Sequence, residues 1–63
     1  MKLLRYRGYT RRDCYIAADK IARIVPGADN YSCDIILING DVIRIFEMVD
    51  IITKRFEEIM EEE

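Results

Sequence analysis

Apolar and polar residues alternate loosely from Lys2 to Arg7 and again from Asp13 to Ala17. A period of two is the mark of a half-buried strand, so both runs read as β-strands. In the second, Cys14 and Ile16 point one way and Tyr15 and Ala17 the other. Gly8 breaks the first run, and Tyr9 to Arg12 make a turn. From Ala17 to Val25 two readings stand. Ile21, Ile24 and Val25 sit at helical spacing, which allows a two-turn helix. A tight turn at Ala18-Asp19 followed by a strand from Ile21 to Val25 fits equally, and we adopt it because Pro26-Gly27 stops the segment so soon. Pro26 to Asn30 has turn chemistry throughout.

Two apolar runs, Ser32 to Ile38 and Val42 to Phe46, flank Asn39-Gly40. Asn-Gly suits a two-residue type I′ turn, whose twist matches the strands it joins. That turn sets Leu37 opposite Val42, Ile36 opposite Ile43 and Ile35 opposite Arg44, and opposed residues share a sheet face. One face then carries Ile36, Ile38, Ile43 and Ile45. The other carries Ile35, Leu37, Val42 and Phe46, interrupted by Arg44. A hairpin apolar on both faces needs a cover on each. Beyond Glu47 the period changes. Val49, Ile52, Phe56 and Ile59 recur at three- and four-residue steps, flanked by Met48 and Met60, which predicts an amphipathic helix across one face. Glu47 and Asp50 fall in its first turn, where the dipole favours negative charge; the closing Glu61, Glu62 and Glu63 meet the reverse and are expected to fray.

These elements predict an α+β fold: a small antiparallel sheet of four or five strands with one C-terminal amphipathic helix packed on it. With 63 residues the chain makes a single domain, residues 1–63. A core this small is marginal on its own. Self-association through Ile35, Leu37, Val42 and Phe46, most simply as a homodimer, would cover the open face. The alternative is a monomer whose first hairpin folds over to make a barrel-like sheet. No apolar run approaches the ~20 residues of a membrane span, and the first residues lack a secretory signal, so the expected compartment is the cytoplasm.

The net charge of −2 hides an asymmetry. Residues 1–23 carry Lys2, Arg5, Arg7, Arg11, Arg12, Lys20 and Arg23 against Asp13 and Asp19. The remainder carries Arg44, Lys54 and Arg55 against ten carboxylates, half of them in Glu57, Glu58, Glu61, Glu62 and Glu63. Such a molecule could associate head to tail or bind an acidic partner through its basic front. The front interleaves arginine with tyrosine. Arg5, Tyr6, Arg7, Tyr9, Arg11 and Arg12 form the expected contact surface for a larger protein, because both residue types are favoured at binding hot spots. The same run could grip phosphates and stack on bases, so a nucleic-acid-binding regulator is a second reading. A third is a phage or mobile-element inhibitor whose acidic helix end occupies a cationic channel of a host enzyme.

Catalytic chemistry has little to stand on. There is no histidine, no Cys-His pair and no phosphate loop. Cys14 near Arg11 and Arg12 could be an activated thiol, but a packed strand residue is the plainer account. Cys33 is expected to pack as a small hydrophobe. Asp34 and Asp41 could form a carboxylate pair, or simply end two strands in solvent. We expect no enzyme activity, no cofactor and no metal.

The order L-L-R-Y-R-G, C-Y-I-A-A-D-K-I-A-R-I-V-P, I-I-L-I-N-G and E-M-V-D-I-I resembles the FlbD-like (SwrD-like) family of small bacterial flagellar proteins. In that family an L-T-R-L-N-G-type strand and turn precede an N-A-D-x-I-x-x-I segment, a hairpin with an N-G or D-G turn, and E-S-V-x-E-V opening a helix. Ala18, Asp19, Ile21, Ile24, Asn39, Gly40, Glu47, Val49 and Asp50 carry the likeness. Ala17 stands where asparagine is usual, Met48 where serine is, and the first turn is longer and more basic. The resemblance implies a non-enzymatic accessory role in motility, with no catalytic residues to carry over.

Overall fold

The computed structural model describes residues 2–61. Five strands and one helix follow in order: β1 (Leu3–Arg7), β2 (Asp13–Ala17), a single 3-10 turn (Ala18–Lys20), β3 (Ile21–Pro26), β4 (Cys33–Leu37), β5 (Val42–Ile45) and α1 (Val49–Glu61). The ambiguous middle segment is therefore a turn and a strand. The class is α+β, but the strands do not share one sheet. β1 and β2 form an antiparallel pair, and β3-β4-β5 form a separate antiparallel sheet. The expected single sheet of four or five strands is corrected to two sheets. Among the described residues, the two sheets share few backbone hydrogen bonds; one runs from the Phe46 N–H to the Arg7 carbonyl, 3.0 Å.

The hairpin register also differs from the expected one. Cys33 pairs with Ile45, Ile35 with Ile43 and Ile36 with Val42. The loop is Ile38-Asn39-Gly40, closed by Leu37 N–H to the Asp41 carbonyl (2.8 Å) and Gly40 N–H to the Leu37 carbonyl (2.9 Å). Within this loop only Gly40 has a positive φ, +95°, so the turn is not type I′, which needs two such residues. Asn39 instead accepts the Asp41 N–H on its side-chain oxygen, 2.9 Å, an Asx-type bond that fixes the three-residue loop. A slip of one residue moves every side chain to the other face.

Alternation is thereby restored. Cys33, Ile35 and Ile45 are fully buried with Leu4 and Ile52. Tyr6, Ile16, Ile21, Ile24, Leu37, Ile43, Val49, Phe56 and Ile59 pack around them. Each fully buried aliphatic side chain contributes about 1.5–3 kcal/mol. The first hairpin brings Leu4, Tyr6 and Ile16 onto this core, but as a separate two-stranded sheet and not as part of a barrel-like one. The outer face of the second sheet carries Ile36 and Val42 beside an Arg44–Asp34 ion pair, 3.3 Å. It is less apolar than expected.

The helix begins at Val49, two residues after Glu47, and Met48 accepts the first turn's N–H groups of Ile51 and Ile52 on its carbonyl. Glu47 is thus not in the first turn, whereas Asp50 is. Ile52 is buried, and Val49, Phe56 and Ile59 line the same side. Glu62 and Glu63, part of the end expected to fray, lie outside the described residues.

Candidate functional site: an arginine and aromatic cleft

The tip of the first hairpin repeats the geometry of the second. Gly8 N–H donates to the Arg12 carbonyl (3.2 Å) and Arg11 N–H to the Gly8 carbonyl (2.9 Å), which leaves Tyr9-Thr10-Arg11 as the loop. Here the left-handed position, held by glycine in the second hairpin, is held by Arg11 at φ 63°. A side chain in that conformation costs roughly 1–2 kcal/mol. Arg11→Gly should therefore stabilise the fold by about 1 kcal/mol, less the added chain entropy of glycine, read as a higher urea midpoint. A lower midpoint would show that the Arg11 side chain has a structural task.

Arg11 and Arg7 line a cleft of about 220 Å³ whose other walls are Tyr31 and Phe46. Four segments meet there. Arg7 ends β1, and Arg11 is the loop tip. Phe46 follows β5 and is held to β1 by its own N–H. Tyr31 comes from the β3–β4 loop, where Asp29 Oδ1 accepts the Tyr31 N–H (2.8 Å) and the Ser32 hydroxyl (3.1 Å). Tyr9 meets Phe46 edge-on, ring centroids 5.9 Å apart at 68°. Tyr9 and Tyr31 are 86% and 76% exposed, so both rings are presented to solvent.

Beneath the cleft lies a charged clasp. Glu47 takes Arg55 in a two-point pair, 3.0 Å to Nη1 and 3.1 Å to Nη2. Its Oε1 also accepts the Arg7 N–H at 2.9 Å. Arg55 Nη1 donates in turn to the Arg5 carbonyl, 2.7 Å. Bidentate pairs of this kind are among the strongest hydrogen bonds proteins make. The clasp holds the outer edge of β1 against the middle of α1 through Arg55 and sets the backbone from which the Arg7 side chain leaves. Among the described residues, the ion pairs are Arg44–Asp34 and Arg55–Glu47. The guanidinium groups of Arg7 and Arg11 are in neither.

The expected contact surface is thus partly assembled and partly corrected. Arg7, Tyr9 and Arg11 come together. Arg5 leaves the same exposed side of β1 as Arg7, and Arg12 is exposed beyond the loop. Tyr6 does not belong: strand alternation turns it inward onto the core. Burial, then the neighbouring Cys14, raises its hydroxyl pKa. The expected self-association quartet does not share a face. Ile35 is 0% exposed, Leu37 packs on the core, and Val42 stands on the opposite side of the sheet, 62% exposed. Phe46 lies in the cleft with the arginines. Tyr31 was not anticipated. Its only trace in the sequence is an exposed aromatic beside a turn-forming Asp29.

The Cys14 thiol donates to the Arg12 carbonyl at 3.6 Å. Asp41 is engaged by Asn39 (3.1 Å) and Asp34 by Arg44, so the two carboxylates serve separate turns and strands. Among the described residues no group of histidine, cysteine, aspartate or glutamate could hold a metal ion. Burial, then the charges of Asp34 and Glu47, pushes the Cys33 thiol up to about 11. An unfolded thiol titrates near ~8.5. Between these values the unfolded chain gives up a proton that the folded chain keeps. This thiol therefore takes nothing from stability below about 8.5 and lowers it progressively as pH rises toward about 11. Urea midpoints measured across that range should fall, and Cys33→Ala should flatten the fall.

Among the described residues, no helix is long and apolar enough to cross a membrane. Comparison of the chain with protein-family models, with curated proteins and with solved structures finds no match.

Proposed function

We propose that this chain is a non-catalytic binding module, a small cytoplasmic accessory or regulatory protein that docks an acidic surface of a larger protein. The observation that carries the reading is the meeting of Arg7 and Arg11 with Tyr9, Tyr31 and Phe46 around one cleft. Arginine and tyrosine supply charge and area together, and such residues carry most of the energy at protein interfaces. Strained backbone at functional positions is a recurrent pattern, and Arg11 keeps a conformation that glycine would hold without strain. The chain's net charge of −2 opposes non-specific phosphate binding, so the attraction for an acidic group is local to the cleft. The likeness to FlbD-like proteins adds a motility setting to this proposal.

The test is fluorescence anisotropy of a labelled glutamate-rich peptide with a central phenylalanine. The peptide should bind, and Arg11→Glu should weaken it about tenfold or more, equal to about 1.4 kcal/mol. Val42→Lys, on the far side of the sheet, should leave it unchanged. Binding of single-stranded DNA in preference to the peptide, with a steep salt dependence, would replace this reading with the nucleic-acid one.

A further inference from the structure

The two charged ends of the chain lie at opposite ends of the fold. α1 runs antiparallel to β1, because Arg55 reaches the Arg5 carbonyl and the Lys2 ammonium reaches the Met60 carbonyl at 3.4 Å. The basic hairpin tip therefore sits beyond one end of β1, and the close of α1 beyond the other, in a molecule whose longest dimension is 33 Å. Glu57, Glu58 and Glu61 are exposed on the last turns of α1. The last turn holds no basic residue of its own; the Lys2 ammonium on the Met60 carbonyl meets the negative end of the helix dipole, and the three glutamates outnumber it. Exposed Met60 supplies an apolar group among them.

We infer that the occupant of the arginine and aromatic cleft includes the acidic helix end of a second copy of this chain. Arg7 and Arg11 take the carboxylates, and Tyr9, Tyr31 and Phe46 take the apolar group between them. This rests on the docking reading above and gives the same cleft a second acidic occupant. The contact is heterologous, since the two surfaces differ, so it propagates head to tail instead of closing as a twofold dimer. It also dispenses with the hairpin face that the observed register has taken away. Ion pairs at an exposed site are individually weak, so the assembly is concentration-dependent and salt-sensitive.

Sedimentation equilibrium with two complementary variants tests this. One, Arg7→Gln with Arg11→Glu, keeps the acidic end and loses the cleft. The other changes Glu57, Glu58, Glu61, Glu62 and Glu63 to glutamine and keeps only the cleft. All the substituted positions that the structure describes are exposed, and circular dichroism checks each fold. At about 0.02 M salt the unaltered chain should grow in mass with concentration, and at about 1 M it should return to the monomer. Each variant alone should stay monomeric. Their mixture should form a species of about twice the monomer mass that grows no further, because each has one surface left. Association of either variant alone, or a mixture that stays monomeric, would overturn the inference. If the glutamate-rich peptide binds the cleft while the unaltered chain stays monomeric, the inference fails and the docking reading stands. If neither binds, both fail.

Discussion

Ile35→Ala is expected to be the most destabilising single truncation in the chain, at about 3–4 kcal/mol. Ile35 is fully buried at the centre of β4, in contact with the cluster of Leu4, Cys33, Ile45 and Ile52. Truncating such a residue costs about 3–4 kcal/mol, from lost transfer free energy and the cavity left behind. A domain of this length is stable by only about 3–9 kcal/mol, so the loss consumes a third of the upper figure and all of the lower. Val42→Ala, on the exposed side of the neighbouring strand, should change stability by about 0.5 kcal/mol or less. The contrast is the signature of the three-residue loop. A two-residue Asn-Gly turn would set Ile35 and Val42 on one face and give them similar costs. Urea melts of the two variants, followed by circular dichroism, decide it; equal midpoints would refute the register.

Glu47→Ala should have the next largest effect, about 2–3 kcal/mol. It strands the Arg55 guanidinium and the Arg7 N–H together, and both Glu47 and Arg55 are mostly withdrawn from water. Removing one partner of a sheltered pair is costly because the other keeps its desolvation penalty. Arg55→Met on top of Glu47→Ala should then cost far less than Arg55→Met alone, since the interaction it would break is already gone. Hydrogen exchange at the Arg7 amide should speed up in the Glu47 variant by more than the change in global stability explains. Additive effects of the two substitutions would show that the clasp does not join β1 to α1.

Much of the fold was legible in the chain, and the reasons are physical. Strand periods placed β1 and β2, and the three- and four-residue steps of Val49, Ile52, Phe56 and Ile59 placed α1 and its buried side. Pro26-Gly27 stops the expected strand at Val25, one residue before β3 ends at Pro26. The partition into two sheets was not legible, because it depends on which edges meet and not on local pattern. The register failed for a narrower reason. Asn39 tolerates positive φ but does not adopt it here; its side chain bonds Asp41 instead and adds one residue to the loop. That single residue exchanged the roles of buried and exposed positions across the hairpin.

The cleft shows the same division. The basic, tyrosine-bearing front was visible from composition, and three of its residues meet there. Tyr6 does not belong to that front, because a strand turns alternate residues of the run Arg5-Tyr6-Arg7 apart. Phe46 was assigned to a different surface through the register error. Tyr31 lies far along the chain, in a loop brought alongside the first hairpin only when the two sheets pack. Glu47 precedes the helix and does not serve its dipole; its partners, Arg55 and the Arg7 N–H, lie eight and forty positions away.

The central claim is that acidic groups are taken up between Arg7 and Arg11 under the rings of Tyr9, Tyr31 and Phe46. A nitrogen-15 correlation spectrum recorded while the glutamate-rich peptide is added tests this most directly. The account predicts that the largest shifts fall on Arg7, Tyr9, Arg11, Tyr31 and Phe46, while Arg23, Ile36 and Val42 on the outer sheet face stay in place. Shifts concentrated on that outer face, with the cleft residues unmoved, would contradict it.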